Sequence, residues 1–95
     1  MARAPSAQKR AKSEIAPSAA PISFAVLIFH AFPMMAFSSV IEPLRAANIL
    51  ARRQCYRWIT VGLSGEGVEA SNGVTIKPAH SVHDAPVVDR IVICL

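Results

Sequence analysis

The sequence predicts an α/β fold built on a parallel sheet, and three stretches predict it. Ile22 to Phe29 is a short uncharged run of bulky apolar side chains, the composition of a strand buried on both faces. Met34 to about Ala51 carries a one-sided helical pattern, and Val87 to Leu95 repeats the apolar composition of the first run. Strand, short turn and amphipathic helix make the opening of a βαβ unit, and the later strands and turns are ones such a unit can recruit.

Met1 to Pro21 is rich in Ala, Ser, Pro and basic residues, and Pro5, Pro17 and Pro21 break any helix. It reads as a disordered basic leader, because almost nothing in it can be buried. A basic arm on DNA phosphates is the sharper alternative. The basic residues are few and lack a motif, so a solvated tail is the better supported reading.

After a break at His30 to Pro33, residues placed 100° apart bring Phe37, Val40, Ile41, Leu44, Ala47 and Ala51 into one stripe. Ser38, Ser39, Glu42, Arg45 and Arg52 fall outside it. Pro43 lies within this helix and removes a hydrogen bond to the carbonyl of Ser39. The expected result is a kink over Ser39–Pro43, or two abutting helical segments with Pro43 in the first turn of the second. Glu42 and Arg45, three apart, are placed for a surface pair. Asn48 falls inside the stripe near the helix end, where a capping or hydrogen-bonded role outweighs a ligand contact.

From Cys55 the period becomes two. Arg57, Ile59, Val61 and Leu63 alternate with Tyr56, Trp58, Thr60 and Gly62, a strand with two distinct faces. Tyr56 and Trp58 read as packing anchors, because no second aromatic row with interleaved basic residues supports single-strand binding. Ser64 to Gly67 is a turn. Val68 to Ser71 and Val74 to Lys77 flank Asn72-Gly73, the signal of a two-residue hairpin turn. Ala79 to Pro86 reads as a solvated connector in which Ser81-Val82-His83-Asp84 fits a capping box, so a helical turn is expected there. His80, His83 and Asp84 suggest a metal site only weakly, since no further Cys/His cluster completes one. Val87 to Leu95 is expected to be a second strand buried on both faces.

A membrane reading competes for the first run. Ile22 to Ile41 is twenty residues without a charged side chain, and about 20 apolar helical residues span a bilayer. His30 and Pro33 interrupt the run, and the helical stripe continues past Ile41 through Glu42 and Arg45 in register. The pattern is strand-like first and one-sided second, unlike a spanning helix, and no membrane association is expected.

Ninety-five residues, 53% apolar and 17% charged, allow one small domain with a core to bury. The net charge of +4 is mostly the leader's, since residues 22–95 carry six Lys/Arg against five Asp/Glu. Nucleic-acid binding by the folded part is therefore poorly supported. Two cysteines, Cys55 and Cys94, form no disulfide framework and no CxxC, which fits a reducing cytoplasm.

The run Phe32 to Asn48, with Glu42-Pro43-Leu44-Arg45-Ala46-Ala47-Asn48 its most specific part, is followed by Tyr56-Arg57-Trp58, Ala70-Ser71-Asn72-Gly73 and Asp84-Ala85-Pro86. Together these resemble the N-terminal sensor domain of GlxA-type, AraC-family transcriptional regulators. That resemblance covers about Ile22 to Cys94 and implies a PfpI-like, class I glutamine amidotransferase-like fold. It also implies a following helix-turn-helix DNA-binding domain, of which the chain has no trace. The expected architecture is an incomplete flavodoxin-like three-layer sandwich over residues 22–95, its N-terminal half only. One helix covers one sheet face, so poor stability is expected and no sharp, reversible thermal transition.

Enzymatic relatives of that fold place a carboxylate on the first helix, and the matching position is Ala36. Cys94 lies within a buried-type strand and not on a strand-to-helix turn, so no catalytic residue is assigned and the chain is read as no enzyme. Ligand sites in such sheets lie beyond the carboxyl ends of the strands. This places His30 and Phe32 among the candidate ligand contacts, with Glu42, the helix's only carboxylate, as the third. No metal or cofactor is expected. The implied function is a non-catalytic sensing module of a transcriptional regulator, cytoplasmic, binding a small-molecule effector or a partner, with room for a homo-oligomer. DNA contact would come only through a C-terminal domain absent from the sequence. The alternatives are part of a PfpI- or amidotransferase-like hydrolase and, behind it, a small membrane-anchored protein.

Overall fold

The computed structural model describes residues 20–95. The leader reading of residues 1–21 therefore lies outside the described residues, apart from Ala20 and Pro21. The elements are β1 (Ile22–Ile28), α1 (Met34–Ala51), β2 (Tyr56–Gly62), β3 (Val68–Glu69), β4 (Thr75–Ile76), β5 (His80–Ser81) and β6 (Arg90–Cys94). Four strands form one sheet in the order β5-β2-β1-β6, every pair parallel. β3 and β4 form a separate antiparallel pair. The order runs outward from β1 through β2 to β5 and returns to the other side of β1 with β6, so the winding direction switches at β1.

The run Ile22–Ile41 divides as its composition predicts. β1 is extended, residues 30 and 31 turn, and α1 begins at Met34. Among the described residues no helix is long and apolar enough to cross a membrane. Pro33, with φ −73°, precedes the helix and its carbonyl accepts the first bond, from Phe37 N–H at 3.1 Å. Arg52 closes the other end in the left-handed region, φ 56°, its N–H reaching the carbonyls of Asn48 and Ile49.

Pro43 does not divide the helix. α1 is one element over 18 residues, and two abutting segments do not form. The carbonyl that Pro43 leaves without a donor belongs to Ser39, which is exposed and open to water.

In-register partners of a parallel ladder point to the same side. Val26 and Ile28 of β1, with Val92 and Cys94 of β6, share one face. Val26, Ile28, Phe32, Ala70 and Cys94 are its buried core. Met34, Phe37, Val40 and Ile41 of α1 pack on that core from above, and Val68 and Ile76 of the hairpin close its end. Phe32 and Phe37 meet edge to face at 5.5 Å. Each buried Val, Ile or Phe contributes about 1.5–3 kcal/mol. Of the helical stripe, Phe37, Val40 and Ile41 thus pack on the core, Leu44 and Ala47 are half-buried, and Ala51 is exposed.

The other face carries Ala25 and Leu27 of β1, Ile59 and Val61 of β2, and Ile91 and Ile93 of β6. No helix covers it among the described residues. The composition of β6 predicts burial on both faces, but Ile91 is 67% exposed and Ile93 56%. The reason is position: β6 is an edge strand paired to β1 alone, and its odd-numbered side chains turn away from α1.

Two turns differ from expectation. Ala70 N–H donates to the Val74 carbonyl at 2.8 Å, and Gly73 N–H to the Ala70 carbonyl at 3.0 Å. The hairpin loop is therefore three residues, Ser71-Asn72-Gly73, with only Gly73 at positive φ, +90°. A two-residue type I′ turn needs positive φ at both central residues, and Asn72 instead caps Val74 N–H through Oδ1 at 3.1 Å. The connector also differs, because His80 and Ser81 pair in parallel with Val61 and Gly62. The capping bonds form, from Ser81 N–H to Asp84 Oδ1 at 2.8 Å and from His83 N–H to Ser81 Oγ at 3.2 Å. They close a turn and not a helix, since Pro86 drives Ala85 away from helical geometry.

Candidate functional site

β1 ends where the chain must reverse into α1, and the reversal is tied down by backbone bonds. Phe29 N–H donates to the Cys94 carbonyl at 3.3 Å, and Phe32 N–H closes on the Phe29 carbonyl at 3.0 Å. Ala31 sits between them at φ 67°, a left-handed conformation costing about 1–2 kcal/mol for a residue with a Cβ. The hairpin holds it there. Ala31 N–H donates to the Glu69 carbonyl at 2.7 Å, and Ser71 N–H to the Phe32 carbonyl at 2.9 Å. A short loop on one strand end and a hairpin after the neighbouring strand are thereby clamped together.

Between them, beyond the carboxyl ends of β1 and β2, lies a cleft of about 410 Å³. His30 enters it from the reversal, Ser64 and Glu66 from the turn after β2, and Glu69 and Thr75 from the hairpin, with Phe29 and Leu63 among its apolar walls. Its size falls in the range of small-molecule sites, and its place obeys the carboxyl-end rule, one strand away from the β1/β6 switch. Ser64 Oγ accepts the Glu66 N–H at 3.2 Å and Lys77 Nζ donates to the Gly65 carbonyl at 3.3 Å, which shape the turn. Two carboxylates, an imidazole and hydroxyls suit a ligand rich in hydrogen-bond donors.

Of the three expected ligand residues, only His30 borders this cleft. Phe32 is fully buried in the core beneath it, where it packs against Phe37 and offers a ligand no surface. Glu42 lies on the outer side of α1, paired with Arg45 at 2.7 Å with both side chains about half exposed, and it does not line this cleft. Glu66 and Glu69 escaped the sequence reading because turn and hairpin chemistry accounted for their segments. Glu66 between Gly65 and Gly67 was the available signal, a charged side chain on a loop after a buried strand.

Among the described residues neither cysteine lines the cleft. Cys94 is 3% exposed, and burial pushes its thiol upward, away from the reactive thiolate. Both cysteines are free. His80 Nδ1 approaches Asp84 Oδ1 at 3.8 Å, but among the described residues no group of three metal-binding side chains converges. Ala36, exposed on the first turn of α1, supplies no carboxylate. The arrangement can hold and orient a small molecule.

These features define a class, a partial flavodoxin-like α/β sandwich with a parallel sheet, one helix layer and an open carboxyl-end cleft. No family model matches the chain. Known proteins place it nonetheless. It is 40% identical over 74 residues to the HTH-type transcriptional regulator GbdR of Pseudomonas aeruginosa, a match covering 78% of this chain and 20% of GbdR. It is 38% identical over 50 residues to the HTH-type transcriptional regulator GlxA of Rhizobium meliloti, covering 53% of this chain and 15% of GlxA. Among solved structures, an AraC family transcriptional regulator from Pseudomonas putida superposes with TM-score 0.69 at 23% identity, over 78% of this chain and 46% of that one. A DJ-1 superfamily protein from Agrobacterium tumefaciens superposes with TM-score 0.56 at 17% identity, over 78% of this chain and 37% of its own. The chain is thus similar to part of the HTH-type transcriptional regulators GbdR and GlxA, and its fold is shared with an AraC family regulator and a DJ-1 superfamily protein. It spans about a fifth of the length of GbdR.

Proposed function

We propose that this chain is the non-catalytic effector-sensing part of a cytoplasmic transcriptional regulator. The carboxyl-end cleft takes the small-molecule effector, with His30, Glu66 and Glu69 as its polar contacts. DNA is bound by a helix-turn-helix segment lying outside these 95 residues. The observation that supports this reading most is the combination of 40% identity to a regulator with a formed carboxyl-end cleft that neither cysteine lines. The clamp from Ala31 to Glu69 gives such a cleft a mechanical consequence, because a ligand that moves the hairpin also moves the start of α1.

A chimera tests this reading. Residues 22–95 replace the matching segment of GbdR, and promoter occupancy and reporter output are measured together. Occupancy by the chimera is expected to persist, while Glu69→Gln or His30→Ala changes the output without changing occupancy. Loss of occupancy on these cleft substitutions would contradict the proposal. The hydrolase alternative is checked on the same proteins: amide or ester hydrolysis that Cys94→Ser abolishes would replace the sensor reading.

A further inference from the structure

A second cleft, of about 400 Å³, lies at the opposite, amino end of the sheet. Ser23, Gln54, Arg57, Trp58, Ile59 and the Pro86–Val88 segment surround it. No residue of α1 lines it, and the register sets Ser23 beside Arg57 and Ala25 beside Ile59 on the face that no helix covers among the described residues. Its walls are mainly apolar, and Arg57 is its only cation among the described residues.

The charges here are unevenly committed. Asp89, the neighbouring acid, is locked to Ser23: its Oδ2 accepts Ser23 N–H at 2.9 Å and Ser23 Oγ–H at 3.0 Å. Among the described residues Arg57 makes no side-chain hydrogen bond and no ion pair within 4 Å. An exposed guanidinium with five free N–H donors is matched bidentately by a planar carboxylate. Gln54 adds an exposed amide, and Ile59 with Val87, which is 99% exposed, offers apolar surface beside it. A few convergent polar groups in a mainly apolar concavity of this size are the usual composition of a ligand site.

We propose that this amino-end cleft is a binding site for a small organic carboxylate with an apolar body, the carboxylate on Arg57 and the body against Ile59 and Val87. The site lies across the sheet from the effector cleft and does not depend on the regulator reading.

Binding is read by isothermal titration calorimetry, because the only tryptophan, Trp58, is set by the register on the α1 face of the sheet. The full chain is titrated with benzoate, benzyl alcohol and inorganic phosphate at fixed ionic strength. Benzoate is expected to give a saturable change and to bind about tenfold tighter than benzyl alcohol, the order of a charged hydrogen-bonded contact. Arg57→Gln is expected to remove that advantage and Arg57→Lys to keep part of it, with His30→Ala leaving benzoate binding unchanged. Equal binding of benzoate and benzyl alcohol, or benzoate binding untouched by R57Q, overturns the proposal. Phosphate binding as tightly as benzoate overturns it too, because the apolar wall then contributes nothing. Benzoate binding weakened by His30→Ala places the ligand at the other end and likewise overturns it. Should R57Q fail to fold, the benzoate and benzyl alcohol comparison on the unsubstituted chain decides alone.

Discussion

Asn48 shows how one polar side chain can join two elements. It lies inside the apolar stripe of α1, yet its Oδ1 accepts Cys55 N–H at 2.8 Å and Tyr56 N–H at 3.0 Å, while Nδ2 donates to the Tyr56 carbonyl at 3.0 Å. The helix end is thereby fastened to the start of β2. Asn48→Ala takes a partner from the Tyr56 N–H and carbonyl and leaves the Cys55 N–H only the Arg53 carbonyl, at 3.1 Å, at a cost of about 2 kcal/mol. A urea-unfolding midpoint measures it, and Asn48→Asp, which keeps the acceptor and loses the donor, should fall between the two. Its hydrogen-bonded role was legible from its position in the stripe. Its partners were not, because they follow an irregular turn whose path the sequence does not specify. Asp89 makes the same kind of link between β1 and the start of β6. Hydrogen bonds from Ser23, first its backbone N–H and then its hydroxyl, hold the Asp89 carboxyl below its ordinary value, with Arg90 and Arg57 adding to this and desolvation opposing it. A carboxylate whose folded value lies below its unfolded one stabilises the fold above the unfolded value, about pH 4, and loses that contribution as pH falls through the folded value. Stability between about pH 5 and about pH 3 should therefore decline less steeply in Asp89→Asn than in the parent, measured by urea unfolding at each pH.

Elements that depend on local pattern are legible in the sequence with their bounds nearly intact, and those that depend on a neighbour are not. β1 and α1 follow from composition and periodicity because the core they bury is their own. His80–Ser81 is a strand only because β2 presents a free edge to it, and two residues carry too little pattern to announce that. The carboxyl-end cleft is half legible for the same reason. The fold rule puts His30 at its rim, but Glu66 and Glu69 arrive there through the tie between the hairpin and the β1–α1 reversal, a contact between segments far apart in the chain. Phe32 goes the other way: the tie pairs it with Ala70 and sinks its ring into the core. The hairpin loop carries the test of this tie. Gly73 at φ +90° has an open surround, since a Cβ added there would meet only Glu69 Oε2, at 4.0 Å, so Gly73→Ala acts through backbone strain alone. It should cost about 1 kcal/mol in urea unfolding. Hydrogen exchange at Ala31 and Ser71 should quicken in step if the hairpin and the reversal open as one unit, and exchange confined to residues 70–74 would show them to be independent.

At the scale of the whole molecule, the governing fact is a parallel sheet with two faces and one helix. Parallel sheets are ordinarily covered on both sides. Here α1 and the hairpin bury Val26, Ile28, Phe32 and Cys94, whereas Ile91, Ile93 and Leu95 remain 56–77% exposed. The imbalance was countable in the sequence, which offers one long amphipathic helix. How much of each side chain stays wet depends on the strand order, because β6 falls at an edge. The two faces should therefore respond oppositely to substitution. Ile28→Ala removes a fully buried side chain and should cost about 2–5 kcal/mol, enough to unfold a chain that buries only about 60% of its unfolded surface. Ile91→Gln with Ile93→Gln exchanges wet apolar surface for polar surface and should change stability by under about 1 kcal/mol. What the double substitution should alter is association. The unsubstituted chain is expected to bind a hydrophobic dye under native conditions, to self-associate as concentration rises and to unfold over a broad range. The double variant should bind less dye and sediment as a monomer at the same concentration. A parent chain that binds no dye, stays monomeric and unfolds in one sharp, reversible transition would mean that the open face is not a liability, and that a single helix layer suffices to hold this sheet.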